Sequence, residues 1–121
     1  MGIRKFEDII AWREARKLTQ MVYLITNQGA LKKDFGCKDQ IQRACVSMMT
    51  NIAEGFGSDS SKEFSRFLSY ARRSAMEVQS LLYVTLDAKY IDREQFKSFY
   101  EQARLTIRLV SKFKSTLDQR G

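Results

Sequence analysis

Basic side chains at helical spacing are the residues of this sequence most able to do chemistry, because lysine and arginine attract phosphate groups. The longest row lies within about 80° of a helical wheel and consists of Lys97, Arg104, Arg108 and Lys112. A shorter row consists of Lys62, Arg66 and Arg73, and a cluster near the start of the chain consists of Arg13, Arg16 and Lys17. These groups are candidate nucleic-acid-binding surfaces. Each of them alone is more often a solvated helix face.

No combination of residues points to catalysis. The chain has no His, which removes the commonest general base and the commonest metal ligand. Several serines are present, but none can be paired with a base from spacing alone. Gly55 and Gly57 lack the third glycine and the preceding strand of a dinucleotide-binding turn. We therefore expect no catalytic residue, no cofactor and no metal, and a protein that acts by binding.

The two cysteines and the hydropathy pattern favour a cytoplasmic protein. Cys37 and Cys45 are eight residues apart, which on one helix means about 12 Å and is too far for a disulfide. We expect both to be buried thiols in a reducing compartment. No apolar run approaches the roughly 20 residues needed to cross a bilayer, and the first residues lack an apolar signal region. No membrane association is expected.

Composition indicates one globular domain, residues 1–121, with a basic surface. The 44% hydrophobic content of the 121 residues is too high for a disordered chain. Twenty-one Lys and Arg against 14 Asp and Glu give a net charge of +7, which favours polyanionic partners. A well-solvated basic surface without a partner explains the same charge equally well.

Hydrophobic spacing predicts four helices and no strands, because the chain lacks Pro and strand-like alternation. The first helix is predicted from Asp8 to Asn27, and the second ends at Gly55. Capping boxes open the third helix at Ser60 with Glu63, and the fourth at Asp92 with Gln95; the third ends near Lys89. The segments 28–33 and 55–60 are predicted connectors. Short connectors favour an antiparallel, up-and-down four-helix bundle.

The second helix carries two apolar rows rather than one. The first row, from Ile41 to Ile52, is the predicted core face. The second row consists of Val46, Met49, Ala53 and Phe56. A helix that is apolar on two sides is buried on two sides, so this second row is a predicted subunit interface, although Met also serves as core filler.

The segment from Gln40 to Gly55, and most of all its ending Asn51-Ile52-Ala53-Glu54-Gly55, resembles the signature of the 23S rRNA intervening-sequence protein family. Other matching features are Phe6, Asp8, Trp12, Glu63-Phe64, Phe67-Leu68, Ser74 and Glu77. The resemblance spans nearly the whole chain. One departure is Met49, where many members have Pro, so we expect a straighter second helix here.

The resemblance implies a bacterial four-helix bundle that assembles as a ring-like homopentamer and whose molecular role is poorly defined. In fold, the family is similar to the accessory variability proteins of diversity-generating retroelements, which are basic pentamers that bind a reverse transcriptase and nucleic acid. In a ring, each basic row would recur once per subunit and build a dense field.

Four polar residues beside or within the apolar stripes are singled out by the resemblance: Arg43, Asn51, Glu54 and Glu77. They could form a recognition site, but we favour a structural role. In antiparallel helices joined near Gly57, Arg43 falls opposite Glu77. The sequence therefore predicts an Arg43–Glu77 ion pair that satisfies two half-buried charges.

Three functional hypotheses follow. The first is a non-enzymatic homo-oligomer that binds structured RNA, such as ribosomal RNA, through its basic rows. No aromatic stacking platform is evident, so sequence-specific readout is not expected. The second is a scaffold or accessory subunit that docks a protein partner such as a reverse transcriptase. The third, an enzyme, is disfavoured by the absence of His and of any cofactor motif. The sequence does not decide whether a small ligand binds inside the bundle.

Overall fold

The protein, described here by a computed structural model over residues 2–120, is built of four long helices. These are α1 (Ile10–Thr26), α2 (Phe35–Phe56), α3 (Ser61–Asp87) and α4 (Arg93–Arg120), with short 3₁₀ turns at Phe6–Asp8 and Gly29–Lys33. No strand occurs within residues 2–120. The predicted all-helical class is confirmed.

The four helices lie at the corners of a square, and helices that follow one another in the chain are neighbours. α1 packs against α2 and α4, and α3 packs against the same two helices, so α2 and α4 occupy opposite corners. Side-chain hydrogen bonds fix the antiparallel direction: Thr19 contacts the Cys45 carbonyl, whereas Thr26, further along α1, contacts Gln42, which lies earlier on α2. The same reversal relates α3 and α4 through the pairs Ser65–Asp118 and Arg72–Ser111. The bundle is the predicted up-and-down type.

The core runs along the centre of this square. Each helix contributes buried apolar side chains at helical spacing, among them Leu18, Val22, Ile41, Met48, Ile52, Leu68, Val78, Leu82, Ala103 and Val110. Buried Thr26 and Thr85 donate to the carbonyls of Val22 and Leu82 on their own helices (2.8 and 2.7 Å). Their hydroxyls are therefore satisfied without water.

Gly55 lies inside α2, and the prediction that α2 stops there as a loop begins was wrong. The residue is buried and helical, and α2 continues to Phe56. A Cβ at Gly55 would lie 2.7 Å from Phe64 Cδ1 and 2.8 Å from Phe67 Cβ. Gly55 is therefore a close-approach point between α2 and α3, and the loop itself spans only residues 57–60.

The helix caps follow the sequence with two differences. At α4, the Gln95 N–H donates to Asp92 Oδ1 (2.8 Å) and the Asp92 N–H donates to Gln95 Oε1 (2.9 Å), so that capping box is confirmed. At α3, Ser60 Oγ accepts from the Glu63 N–H (3.1 Å), but the Glu63 carboxylate contacts Arg66 (3.5 Å). α1 begins two residues later than predicted because residues 6–8 form a 3₁₀ turn.

The cysteines do not share one environment, so the prediction of two buried thiols is half correct. Cys45 is buried, and this burial raises the pKa of its thiol to about 12. Cys37 is only partly buried, although burial raises the pKa of its thiol as well. Both are free thiols.

Candidate nucleic-acid interface

The basic row of α4 faces away from the core. Lys97, Arg104, Arg108 and Lys112 are all exposed, while Phe99, Ala103 and Val110 on the opposite side of the helix are buried. Arg104 Nη1 lies 3.8 Å from Glu101 Oε1, a contact between two exposed side chains. Within residues 2–120 no ion pair engages the other three cations. These three ammonium and guanidinium groups are thus free to meet an external anion.

The shorter row on α3 is partly engaged within the protein. Arg66 contacts Glu63 (3.5 Å), and the Arg73 guanidinium lies 6.0 Å from the centre of the Tyr70 ring. Lys62 is exposed. Surface ion pairs of this kind contribute little energy, so an anion can still compete for these cations.

The α1 cluster has one structural member. Arg13 Nε donates to the Glu7 carbonyl (2.7 Å) and its guanidinium lies 3.9 Å from Asp8, so it ties the start of the chain to α1. The Arg16 guanidinium lies 5.9 Å from the Trp12 ring. Lys17 is exposed. Arg16 and Lys17 are the available cations of this cluster.

Charge is distributed unevenly among the four helices. α4 holds seven basic and three acidic residues, whereas α2 holds two of each. Since α4 packs between α1 and α3, the α4 row lies between the two helices that carry the other candidate groups. The opposite corner, α2, is neutral.

Carboxylates are held where they support the fold. Asp118 accepts a hydrogen bond from Ser65 Oγ on α3 and lies 2.9 Å from Lys114 Nζ. These hydrogen bonds, that from Ser65 first, lower the pKa of Asp118. The Tyr90 hydroxyl donates to Asp34 (2.8 Å) and, as the largest cause, lowers the pKa of that carboxyl. Asp118 therefore stays ionised while joining α4 to α3.

The predicted Arg43–Glu77 ion pair was wrong. Arg43 contacts Asp39 instead (2.9 Å), and both side chains are largely exposed, at 79% and 61%. Asp39 lies one turn away on the same helix, so the pair forms without ordering a long side chain on α3. Glu77 and Glu54 are exposed. Neither charge of the predicted pair is half-buried.

Asn51 forms hydrogen bonds within α2. Its Nδ2 donates to the Ser47 carbonyl (2.9 Å) and to Ser47 Oγ (3.1 Å). The Ser47 hydroxyl lies 3.0 Å from the Ser74 hydroxyl on α3. This chain of three polar side chains links α2 to α3 along their contact.

The predicted interface row on α2 is only partly open to solvent. Val46 is 44% exposed, but Ala53 is half-buried, and Met49 and Phe56 pack against the core. Part of this row is therefore buried within the bundle itself, whereas the sequence analysis attributed its burial to a second subunit. Val46 is the member of the row that is available to a partner.

An aromatic cluster between α3 and α4 was missed by the sequence reasoning, which found no stacking platform. The ring of Tyr83 lies 4.8 Å from that of Phe96 and 5.8 Å from that of Tyr100, and Phe96 stacks on Tyr100 at 5.3 Å. The four-residue spacing of Phe96 and Tyr100 is visible in the sequence. The contribution of Tyr83 depends on the packing of α3 against α4.

Features of other functional classes are missing from the described part of the chain. Residues 2–120 hold no group of His, Cys, Asp and Glu side chains arranged to bind a metal ion. Among the four helices, none combines the length and the apolar character that a membrane span requires.

Comparison with known proteins places the chain in a family. The chain is similar, with 24% sequence identity, to a protein of known crystal structure. That protein has unknown function and comes from the S23 ribosomal protein family of Bacteroides thetaiotaomicron VPI-5482. The TM-score is 0.79, with 87% of this chain and 98% of that chain covered, which shows a shared fold. No curated protein shows significant similarity. The model of the 23S rRNA-intervening sequence protein family matches residues 7–112, and the chain therefore belongs to this family.

Proposed function

We propose that this protein is a non-enzymatic homo-oligomer that binds structured RNA through the exposed cations of α4. The observation that carries the proposal is the concentration of charge on α4, where Lys97, Arg108 and Lys112 form no ion pair with any residue between 2 and 120. Exposed lysines and arginines bind phosphates without regard to sequence and release counterions as they do so. The absence of His from the sequence supports a role without catalysis.

Ribosomal RNA is the RNA that we propose. The family to which the chain belongs is described by its connection with intervening sequences of 23S rRNA. A folded RNA presents a dense array of phosphates, and cations along one helix face can contact several of them at once. This proposal requires no base-specific contact from the α4 row.

Self-association, as a ring-like homopentamer, is the second part of the proposal. Three of the exposed apolar side chains lie on the neutral side of the molecule: Phe35 is 76% exposed, Val46 44% and Tyr23, on the adjacent α1, 38%; others, such as Met76 and Val84, lie on α3. Charged residues are depleted from the centres of protein interfaces, so this side is better suited to a second copy than α4 is. Assembly through it would leave the α4 rows outside and repeat them around the ring.

A protein partner is the alternative occupant of the same apolar surface. In that case the chain acts as a scaffold or accessory subunit, for example of a reverse transcriptase, and nucleic acid is contacted jointly. Leu24, which is 68% exposed on α1, favours this alternative because it widens the apolar surface. A purified chain that stays monomeric yet captures a defined protein would favour it further.

The RNA-binding proposal is tested by removing two cations of the row together. We expect Arg104→Ala with Arg108→Ala to weaken binding to unrelated RNAs by similar factors and to reduce the slope of log affinity against log salt by roughly one unit per lost contact. Thermal unfolding should hardly change, since both side chains are exposed. Fluorescence anisotropy over a salt series measures both affinity and slope.

The matched control removes two cations from the opposite corner, Lys38→Ala with Arg43→Ala on α2. The net charge of this variant equals that of the α4 variant, so a general charge effect would weaken both equally. We expect the control to retain most of the affinity and slope. Unchanged binding in a folded α4 variant would contradict the proposal.

A further inference from the structure

The aromatic cluster of α3 and α4, formed by Tyr83, Phe96 and Tyr100, holds a ring at the surface in a fixed position. Tyr83 is 49% exposed, although its ring lies 4.8 Å from Phe96 and 5.8 Å from Tyr100. Phe96 and Tyr100 are half-buried and stack on each other with an angle of 29° between their planes. The Tyr83 side chain therefore packs against two rings while about half of its surface stays exposed. Such a ring loses little side-chain entropy when a flat ligand stacks on it.

Two cations lie next to this aromatic cluster on α4. Lys97 lies three residues before Tyr100 and Arg104 four residues after it, spacings that make side chains neighbours on a helix. Both are exposed. On the α3 side, residues 74–88 contain no Lys or Arg. The exposed Tyr83 thus belongs to a cluster that adjoins two cations of the α4 row, of which Arg104 also contacts Glu101.

The combination of an exposed aromatic ring and neighbouring cations favours single-stranded over double-stranded nucleic acid. Base–aromatic stacking beside backbone-tracking cations is the recognition mode of single strands, whereas the bases of an A-form duplex are stacked on each other and their faces are closed to protein. Electrostatic interaction with Tyr100, followed by partial burial, raises the pKa of Tyr83. A tyrosine phenol with its ordinary pKa of about 10 is already neutral at physiological pH, so it does not repel a phosphate.

We propose that the aromatic cluster stacks an unpaired RNA base while Lys97 and Arg104 contact the adjoining phosphates. This inference rests on the proposed function and deepens it, because it names loops, bulges and ends of a folded RNA as the parts bound most tightly. An apolar protein partner fits less well, since the cluster is bordered by the most basic helix of the molecule.

The test compares three probes of equal length: an unstructured 12-nucleotide RNA, the same strand with abasic ribose at its central positions, and a 12-base-pair RNA duplex. We expect the intact strand to bind at least about 5-fold more tightly than the abasic strand, which is the lower end of what one stacked base contributes. Tyr83→Leu should abolish this preference and leave affinity for the duplex unchanged. Tyr83→Phe, which keeps the aromatic face, should retain it.

Circular dichroism checks that each variant is folded. Equal affinity of the native protein for the intact and abasic strands, with salt-dependent binding to both, would overturn this inference and leave the proposed function standing. If none of the three probes shows salt-dependent binding, both this inference and the proposed function are overturned.

Discussion

Single residues set the ends of the helices, and Lys89 is the clearest example. Its φ of 63° is left-handed, and it follows the last residues of α3 in a Schellman arrangement: the Tyr90 N–H donates to the Thr85 carbonyl and the Lys89 N–H to the Leu86 carbonyl, both at 2.9 Å. Glycine is the usual residue at this position because a Cβ is unfavourable there.

We expect Lys89→Gly to stabilise the protein by about 0.5 kcal/mol. Relief of the left-handed backbone contributes about 1 kcal/mol, and the greater freedom of glycine in the unfolded chain offsets part of it. Ala88→Gly, one residue earlier in right-handed helical backbone, should have the opposite sign. Urea denaturation of both variants measures the two changes, and a destabilised Lys89→Gly protein would show that the lysine side chain has a role of its own.

Contacts between helices decide how closely the elements approach, and at Gly55 the backbone of α2 lies close to side chains of α3. We expect Gly55→Ala to destabilise the protein by about 1–3 kcal/mol, because the new methyl group would overlap Phe64 and the Cβ of Phe67. Gly57→Ala is the control: its φ is −81° and its nearest contact would be 3.6 Å. Equal stability of the two variants in thermal unfolding would contradict the close-packing account.

The elements were predictable from the sequence to different degrees. Apolar spacing and the Asp92–Gln95 box are local signals, so the helices and their order could be predicted. The role of Gly55 could not, because the atoms that require glycine belong to another helix. The Arg43–Glu77 prediction failed because it considered only a partner across the bundle, whereas Asp39 lies one turn away on the same helix. The aromatic cluster likewise depends on the α3–α4 register.

At the scale of the whole molecule, the uneven charge separates two surfaces: a basic one centred on α4, and a neutral, apolar one on α2 and the uncharged last turns of α1, residues 18–26. We expect Val46→Glu to dissociate an assembly that uses the neutral surface, because it would bury an unpaired charge between subunits. The folded monomer should tolerate the change, since Val46 is 44% exposed.

Val84→Glu, at a valine that is 47% exposed on α3, is the control and should leave the assembly intact. Light scattering measures the masses. A native protein with a mass near the 14.1 kDa of one chain at micromolar concentration would show that the chain does not self-associate.

RNA binding through α4 is the central claim, and ultraviolet crosslinking in cells followed by purification and sequencing of the attached RNA tests it most directly. We expect RNA to be recovered well above an untagged control, to include ribosomal RNA, and to be crosslinked mainly to peptides of α4 and the end of α3. The Arg104→Ala, Arg108→Ala variant should recover much less RNA at equal protein abundance. Recovery of no RNA above the control, or equal recovery by the two proteins, would contradict the claim.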